Sequence, residues 1–185
     1  SCGNKEAADS CSLELCYLGL RSVRKRVTKE LFSCPRQRLD LLPHFSRVCA
    51  NLTRVHLDVG PSLVRQLEEE FAELSANTSL HKDESRVRNA RFIGELTKFR
   101  VFPFSSTFAC VRSLLDDFGQ KAIETLCVLL ETCGRFLYRT PETAVRMANV
   151  LEVLTKKRKT RNLDPRSESA LENAYFATKP PEKSV

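Results

Sequence analysis

Gln120-Lys121-Ala122-Ile123-Glu124-Thr125-Leu126-Cys127-Val128-Leu129-Leu130-Glu131-Thr132-Cys133-Gly134-Arg135-Phe136-Leu137 is the stretch whose reading decides the fold. Within it Ile123, Leu126, Cys127, Leu130, Gly134 and Leu137 recur at three- and four-residue steps. A helix turns once in about 3.6 residues, so this spacing lays one stripe along one face. A half-buried strand needs strict alternation, which is absent. The stretch predicts an amphipathic helix with its Ile123 side turned to a neighbour.

The pattern repeats outward in both directions. Upstream, Phe108, Val111, Leu114, Leu115 and Phe118 form a second stripe, with Ser105 or Ser106 as its N-cap and Gly119 as its stop. Downstream, Thr140-Pro141-Glu142 reads as a hydroxyl cap followed by proline at the first helical position. The helix it opens is expected to bury Ala144, Met147, Ala148, Leu151 and Leu154 before ending in a basic tail. Asp164-Pro165 opens another, with Ala170, Leu171, Ala174 and Tyr175 as its apolar side. In the front half, helices are expected near 9–18, 21–33, 38–54, 61–76 and 85–99, punctuated at Gly19, Pro35, Gly60 and 77–83. Their stripes include Val64, Leu67, Phe71 and Leu74, then Phe92, Ile93 and Leu96. Gly94 and Gly134, inside helices, suit close helix crossings. Short connections make consecutive helices antiparallel neighbours. The fold class expected is therefore all-α, a HEAT-like solenoid of antiparallel helix pairs with about nine to ten helices.

A chain of 185 residues suits one domain, placed at 1–177, with 178–185 as a linker. It opens on Ser1 and has one methionine, Met147, which reads as an excised fragment or a processed form. Nothing resembles a signal peptide or a membrane span, so no membrane partner is expected, and the domain is expected to be a monomer. The eight cysteines, at 2, 11, 16, 34, 49, 110, 127 and 133, contain no C-x-x-C pair, and only three histidines accompany them. Zinc needs four converging ligands, usually as short-spaced pairs. No metal or cofactor is expected, and the thiols read as reduced and structural.

No phosphate-binding glycine loop, nucleophile elbow or metalloprotease motif occurs, so the chain is not read as an enzyme. Charge is better organised. The net charge is +7. Residues 21–38 carry seven cations against Glu30, and 156–166 carry six against Asp164, with an acidic stretch at 66–84 between them. Candidate contacts for an anion, RNA or a protein partner are Arg21, Arg24, Lys25, Lys156, Lys157, Arg158, Lys159 and Arg161. The competing reading is a basic last helical turn that stabilises its own C-terminus. Aromatics do not interleave with these cations in sequence, so no base-stacking surface is expected.

Four strings carry a resemblance. They are Pro35-Arg36-Gln37-Arg38-Leu39-Asp40-Leu41-Leu42-Pro43, Arg91-Phe92-Ile93-Gly94-Glu95-Leu96-Thr97-Lys98-Phe99, Leu129-Leu130-Glu131-Thr132-Cys133-Gly134-Arg135-Phe136-Leu137 and Glu172-Asn173-Ala174-Tyr175. In order and spacing they resemble the second middle domain of the up-frameshift scaffold family of nonsense-mediated mRNA decay, over roughly residues 10–185. The resemblance implies the helical middle domain of eukaryotic initiation factor four-gamma, and a cytoplasmic or perinuclear scaffold. It implies partners in the mRNA surveillance complex: an RNA helicase, up-frameshift protein three and an associated kinase, held mainly by other regions of the parent chain. Weak RNA binding is a further expectation. The alternative is an RNA- or helicase-binding middle domain of translation initiation or mRNA processing.

Overall fold

The computed structural model describes residues 3–17, 19–33, 38–77 and 82–181. Cys2, Cys34, Pro35, Arg36 and residues 182–185 of the expected linker lie outside them. Among the described residues the regular structure is helical throughout: α1 Lys5–Cys16, α2 Arg21–Ser33, a 3-10 turn Leu39–Leu41, α3 Leu42–Val55, α4 Val59–Ala76, α5 Asp83–Lys98, α6 Phe104–Asp117, α7 Gln120–Leu129, α8 Arg135–Arg139, α9 Ala144–Thr160 and α10 Pro165–Thr178. A π turn, Leu130–Gly134, joins α7 to α8, so the opening stretch forms one rod with a bulge in it. The all-α solenoid class read from periodicity is the class observed.

The chain packs as two compact units, residues 1–107 and 108–185, with α6 beginning in the first and continuing in the second. In the first unit α3 packs on α1, α4 and α5, and α4 also packs on α2. Leu42, Leu52, Leu63, Leu67, Ile93, Leu96 and Phe102 fill its core. In the second unit α10 packs on α7 and the π turn, while α9 packs on α8. Its core is Ile123, Leu126, Leu129, Leu130, Leu137, Met147, Leu154 and Leu171. Burying such a side chain contributes about 1.5–3 kcal/mol, so these stripes hold the helices together.

Several boundaries move for local reasons. α1 starts at Lys5 because the Asn4 carboxamide accepts from Ala7 N–H at 2.7 Å, a side-chain cap. The expected stop at Gly119 falls on Phe118, whose φ is 46°, while Gly119 is extended and begins α7. A left-handed non-glycine residue costs about 1–3 kcal/mol, and burial of the Phe118 ring offsets that cost. α6 begins at Phe104, so neither Ser105 nor Ser106 is its cap. Thr143, not Thr140, precedes α9, and its hydroxyl donates to Leu137 C=O at 2.6 Å. Gly60 lies inside the first turn of α4, where an added Cβ would meet Thr53 Cγ2 at 2.6 Å. At Gly134 the expected close crossing is present, since an added Cβ would sit 2.3 Å from Thr178 Oγ1 of α10.

Burial keeps two of the thiols protonated. Cys49 and Cys127 are both buried, and loss of water around them pushes each thiol up to about 12. At neutral pH both behave as small apolar side chains.

The α1–α3 contact has a polar edge. Arg47 Nε and Nη2 donate to Asp9 at 2.6 and 2.9 Å, and Asn51 Nδ2 donates to the same carboxylate at 3.2 Å. The bond from Arg47 is the main reason that the Asp9 carboxyl lies below its ordinary 3.8. A depressed carboxylate stabilises the fold fully above the unfolded value, and the contribution disappears as pH falls through the folded one. Asp9→Asn is therefore expected to lower the melting temperature at pH 7, with the gap to the parent closing as pH drops below 3.8. A gap that stays constant down to pH 2 removes Asp9 from the acid response.

Candidate functional site

The eight predicted cations have different fates, for geometric reasons. Successive helical residues are about 100° apart, so a basic run in sequence fans out around its helix. Lys157 turns inward: its Nζ donates to Leu115 C=O at 2.6 Å and lies 5.5 Å from the centroid of the Phe118 ring. It caps α6 and steadies the left-handed Phe118. Arg158 faces Glu168 of α10 at 3.9 Å. Arg161 ends α9 as its C-cap. Arg24, half-buried, is also taken up within the fold, with Nε 3.3 Å from both Asp58 oxygens and Nη1 donating to Gly19 C=O at 2.7 Å.

The remaining four line two grooves, one in each unit. In the first unit Arg21 and Lys25 of α2 face Arg65 and Ser62 of α4 across a groove of about 450 Å³. Among the described residues neither Arg21 nor Lys25 has an acidic partner; Asp58, also in the lining, is taken by Arg24. Arg65 was not among the expected contacts. Its neighbourhood in sequence is acidic, and only the packing of α4 on α2 brings it to the cations of α2.

In the second unit Lys156 and Lys159 line a groove of about 370 Å³ between α9 and the α8 and α10 helices. Tyr138 of α8, Tyr175 of α10 and Lys179, the α10 C-cap, complete it, beside Ala148 and over Leu151. The tyrosines are distant in sequence from the 156–161 run, and the fold interleaves them with it. Periodicity puts Ala148 and Tyr175 on packing stripes; Ala148 is exposed and Tyr175 half-buried, because α9 packs on α8 while α10 packs mainly on α7 and the π turn. Lys156 is paired with Glu152 at 3.0 Å. Lys159 and Lys179 have no ion-pair partner among the described residues.

Among the described residues no group of three or more His, Cys, Asp or Glu side chains is placed to hold a metal ion. Nor is any helix there long and apolar enough to cross a membrane.

A family comparison agrees with this architecture. The model for the MIF4G domain matches residues 1–180, and the chain belongs to that family. MIF4G domains of this kind are helical, non-catalytic scaffold domains. Among individual relatives, the whole chain is 44% identical over 184 residues to "Regulator of nonsense transcripts UPF2" of Arabidopsis thaliana, covering 16% of that protein. It is 39% identical over 188 residues to human "Regulator of nonsense transcripts 2", covering 15% of it, again with the whole chain aligned. A more distant similarity, 33% over 97 residues, spans 50% of the chain and 6% of human "Eukaryotic translation initiation factor 4 gamma 3". The chain thus spans about a sixth of the length of the decay regulators it matches. The resemblance carried by the four strings is supported at full chain length.

Proposed function

We propose that the chain is a scaffold domain of a nonsense-mediated mRNA decay factor. It acts as the second of the parent's middle domains and holds its neighbours at a set separation in the cytoplasm. The supporting observation is the 44% identity over the whole chain to a regulator of nonsense transcripts. The disposition of the polar groups agrees with a load-carrying role. The buried Arg86 and the half-buried Lys157 cap helix ends instead of facing a substrate. In this reading the RNA helicase, up-frameshift protein three and the associated kinase are held by other regions of the parent.

A pull-down with this chain as bait and its neighbouring domains as positive controls tests the spacer role. The neighbours are expected to retain the helicase and up-frameshift protein three, and this chain to retain neither above a bead-only background. Retention of either by this chain alone overturns it.

A further inference from the structure

Exposed apolar side chains are concentrated at one end of the first unit. Among the described residues eight large hydrophobic side chains stand in water, and five of them, Leu13, Tyr17, Leu20, Val55 and Leu57, meet there. Leu13 and Tyr17 are one turn apart along α1 and share a face. α3 packs along α1, and His56, between Val55 and Leu57, places Nε2 3.1 Å from Cys16 C=O. Arg24 then ties the α1–α2 connection to the α3–α4 connection, donating to Gly19 C=O at 2.7 Å and facing Asp58 at 3.3 Å. Apolar side chains scattered over a surface are ordinary, whereas a contiguous group marks a contact. Tyr17 is 88% exposed and Leu57 77%, so neither is part of the core.

This apolar end runs into the groove between α2 and α4. Leu20 adjoins Arg21 in the chain and Leu57 adjoins Asp58, and Arg21 and Asp58 both line that groove. Its charged lining is Arg21, Lys25 and Arg65 against Asp58, about +2 at neutral pH. Asp58 is taken by Arg24, and Arg65 meets Glu69 only at 3.9 Å, with both side chains in water. Arg21 and Lys25 are four residues apart on α2, a rise of about 6 Å along the axis. Two carboxylates one turn apart on a helix laid beside α2 have the same separation.

We propose that this end of the first unit binds an acidic amphipathic protein segment. The segment's apolar side covers Tyr17, Leu20 and Leu57, while its carboxylates enter the α2–α4 groove and meet Arg21, Lys25 and Arg65. Charge complementarity sets the sign of the occupant, and the adjoining apolar group sets its class. A nucleic acid satisfies the cations through its phosphates but leaves the leucines in water. A lipid surface is flat and meets what protrudes, whereas these cations line a groove. An amphipathic helix supplies both contacts from two of its sides. The assignment is independent of the scaffold reading, since it rests on the surface alone and its test involves none of the decay factors.

The test uses the immobilised 185-residue chain and a phage-displayed library of random peptides of about sixteen residues, roughly four helical turns. Selected peptides are expected to combine Asp or Glu with Leu, Ile or Phe at three- and four-residue steps. A fluorescein-labelled copy of the most enriched peptide is then titrated by anisotropy. Leu20→Ser with Leu57→Ser and, separately, Arg21→Gln with Lys25→Gln are each expected to weaken binding on the order of tenfold. All four side chains are exposed, so both double variants are expected to keep the parent's melting temperature. Added salt is expected to weaken binding to the parent more than to the charge variant. Failure to enrich any peptide overturns the proposal, as do selected peptides without acidic residues and equal affinity for either double variant. Displacement of the peptide by equimolar oligouridine gives the groove to nucleic acid and overturns it. Tighter binding to phosphatidylserine vesicles than to the peptide, lost with Leu20→Ser and Leu57→Ser, makes a lipid surface the occupant and overturns it too.

Discussion

Arg86→Met is expected to destabilise the first unit by about 3 kcal/mol. Arg86 is 7% exposed, and its guanidinium does three things at once. Nε donates to Leu74 C=O at 3.2 Å, and the terminal nitrogens reach Asn77 C=O and Asp83. Leu74 lies in the last turn of α4 and Asn77 is its C-cap. The last four carbonyls of any helix lack intrahelical donors, and here a buried cation from the next helix supplies them. Methionine retains the apolar stem but removes the donor to the buried Leu74 carbonyl, together with the bonds to the half-buried Asn77 carbonyl and to Asp83. An orphaned buried acceptor such as the Leu74 carbonyl costs about 1–3 kcal/mol, and the lost charge-assisted bonds add to it. In a thermal melt the loss reads as a fall of roughly 6–12 °C. Arg86→Lys can serve one acceptor but not the fork, so a partial recovery is expected. A melting temperature within 2 °C of the parent for Arg86→Met overturns the capping role.

Lys157→Met is expected to cost about 2–3 kcal/mol, and Lys159→Gln, two residues on, less than about 0.5 kcal/mol. The contrast arises because the two lysines point in different directions from one helix. Lys157 makes a charge-assisted bond to Leu115 C=O and sits over the Phe118 ring. The first contact is worth about 1.5–3 kcal/mol and the second about 0.5–2, and they share one ammonium. Its loss also frees Phe118 from the contact that holds its left-handed backbone. Lys159 stands at the open groove and supports no carbonyl across the fold. Urea unfolding of the two variants decides the matter. Equal midpoints remove the distinction between a structural and a surface lysine in this tail. A drop confined to Lys159→Gln reverses it.

Much of the fold was legible because helical periodicity is a local property. The stripe from Ile123 to Leu137 is buried along its length, and α2 occupies Arg21–Ser33, as the punctuation at Gly19 and Pro35 suggests. What was not legible depends on partners. Periodicity shows which side of α9 is apolar, but not that its neighbour leaves part of that side open, so Ala148 was placed in the core. Glycine is the commonest left-handed cap, so the stop after α6 was assigned to Gly119, although the packing of Phe118 makes that residue adopt the conformation. The site was legible as two basic stretches and no further. A run of cations in sequence gives no sign that Lys157 turns inward while Lys159 turns outward, and none that Tyr138 and Tyr175 converge on it.

The helix ends are finished by residues that arrive late in the chain. His56 Nε2 donates to Cys16 C=O at 3.1 Å across 40 residues, and Lys157 closes α6 across 42. During translation, at about 5–20 residues per second, α6 waits roughly 2–8 s for its cap to be synthesised. Over that interval its last turn is held only by local bonds. The C-terminal end of α6 is therefore completed by a later part of the polypeptide, and a nascent chain halted between Phe118 and Lys157 carries an unfinished helix.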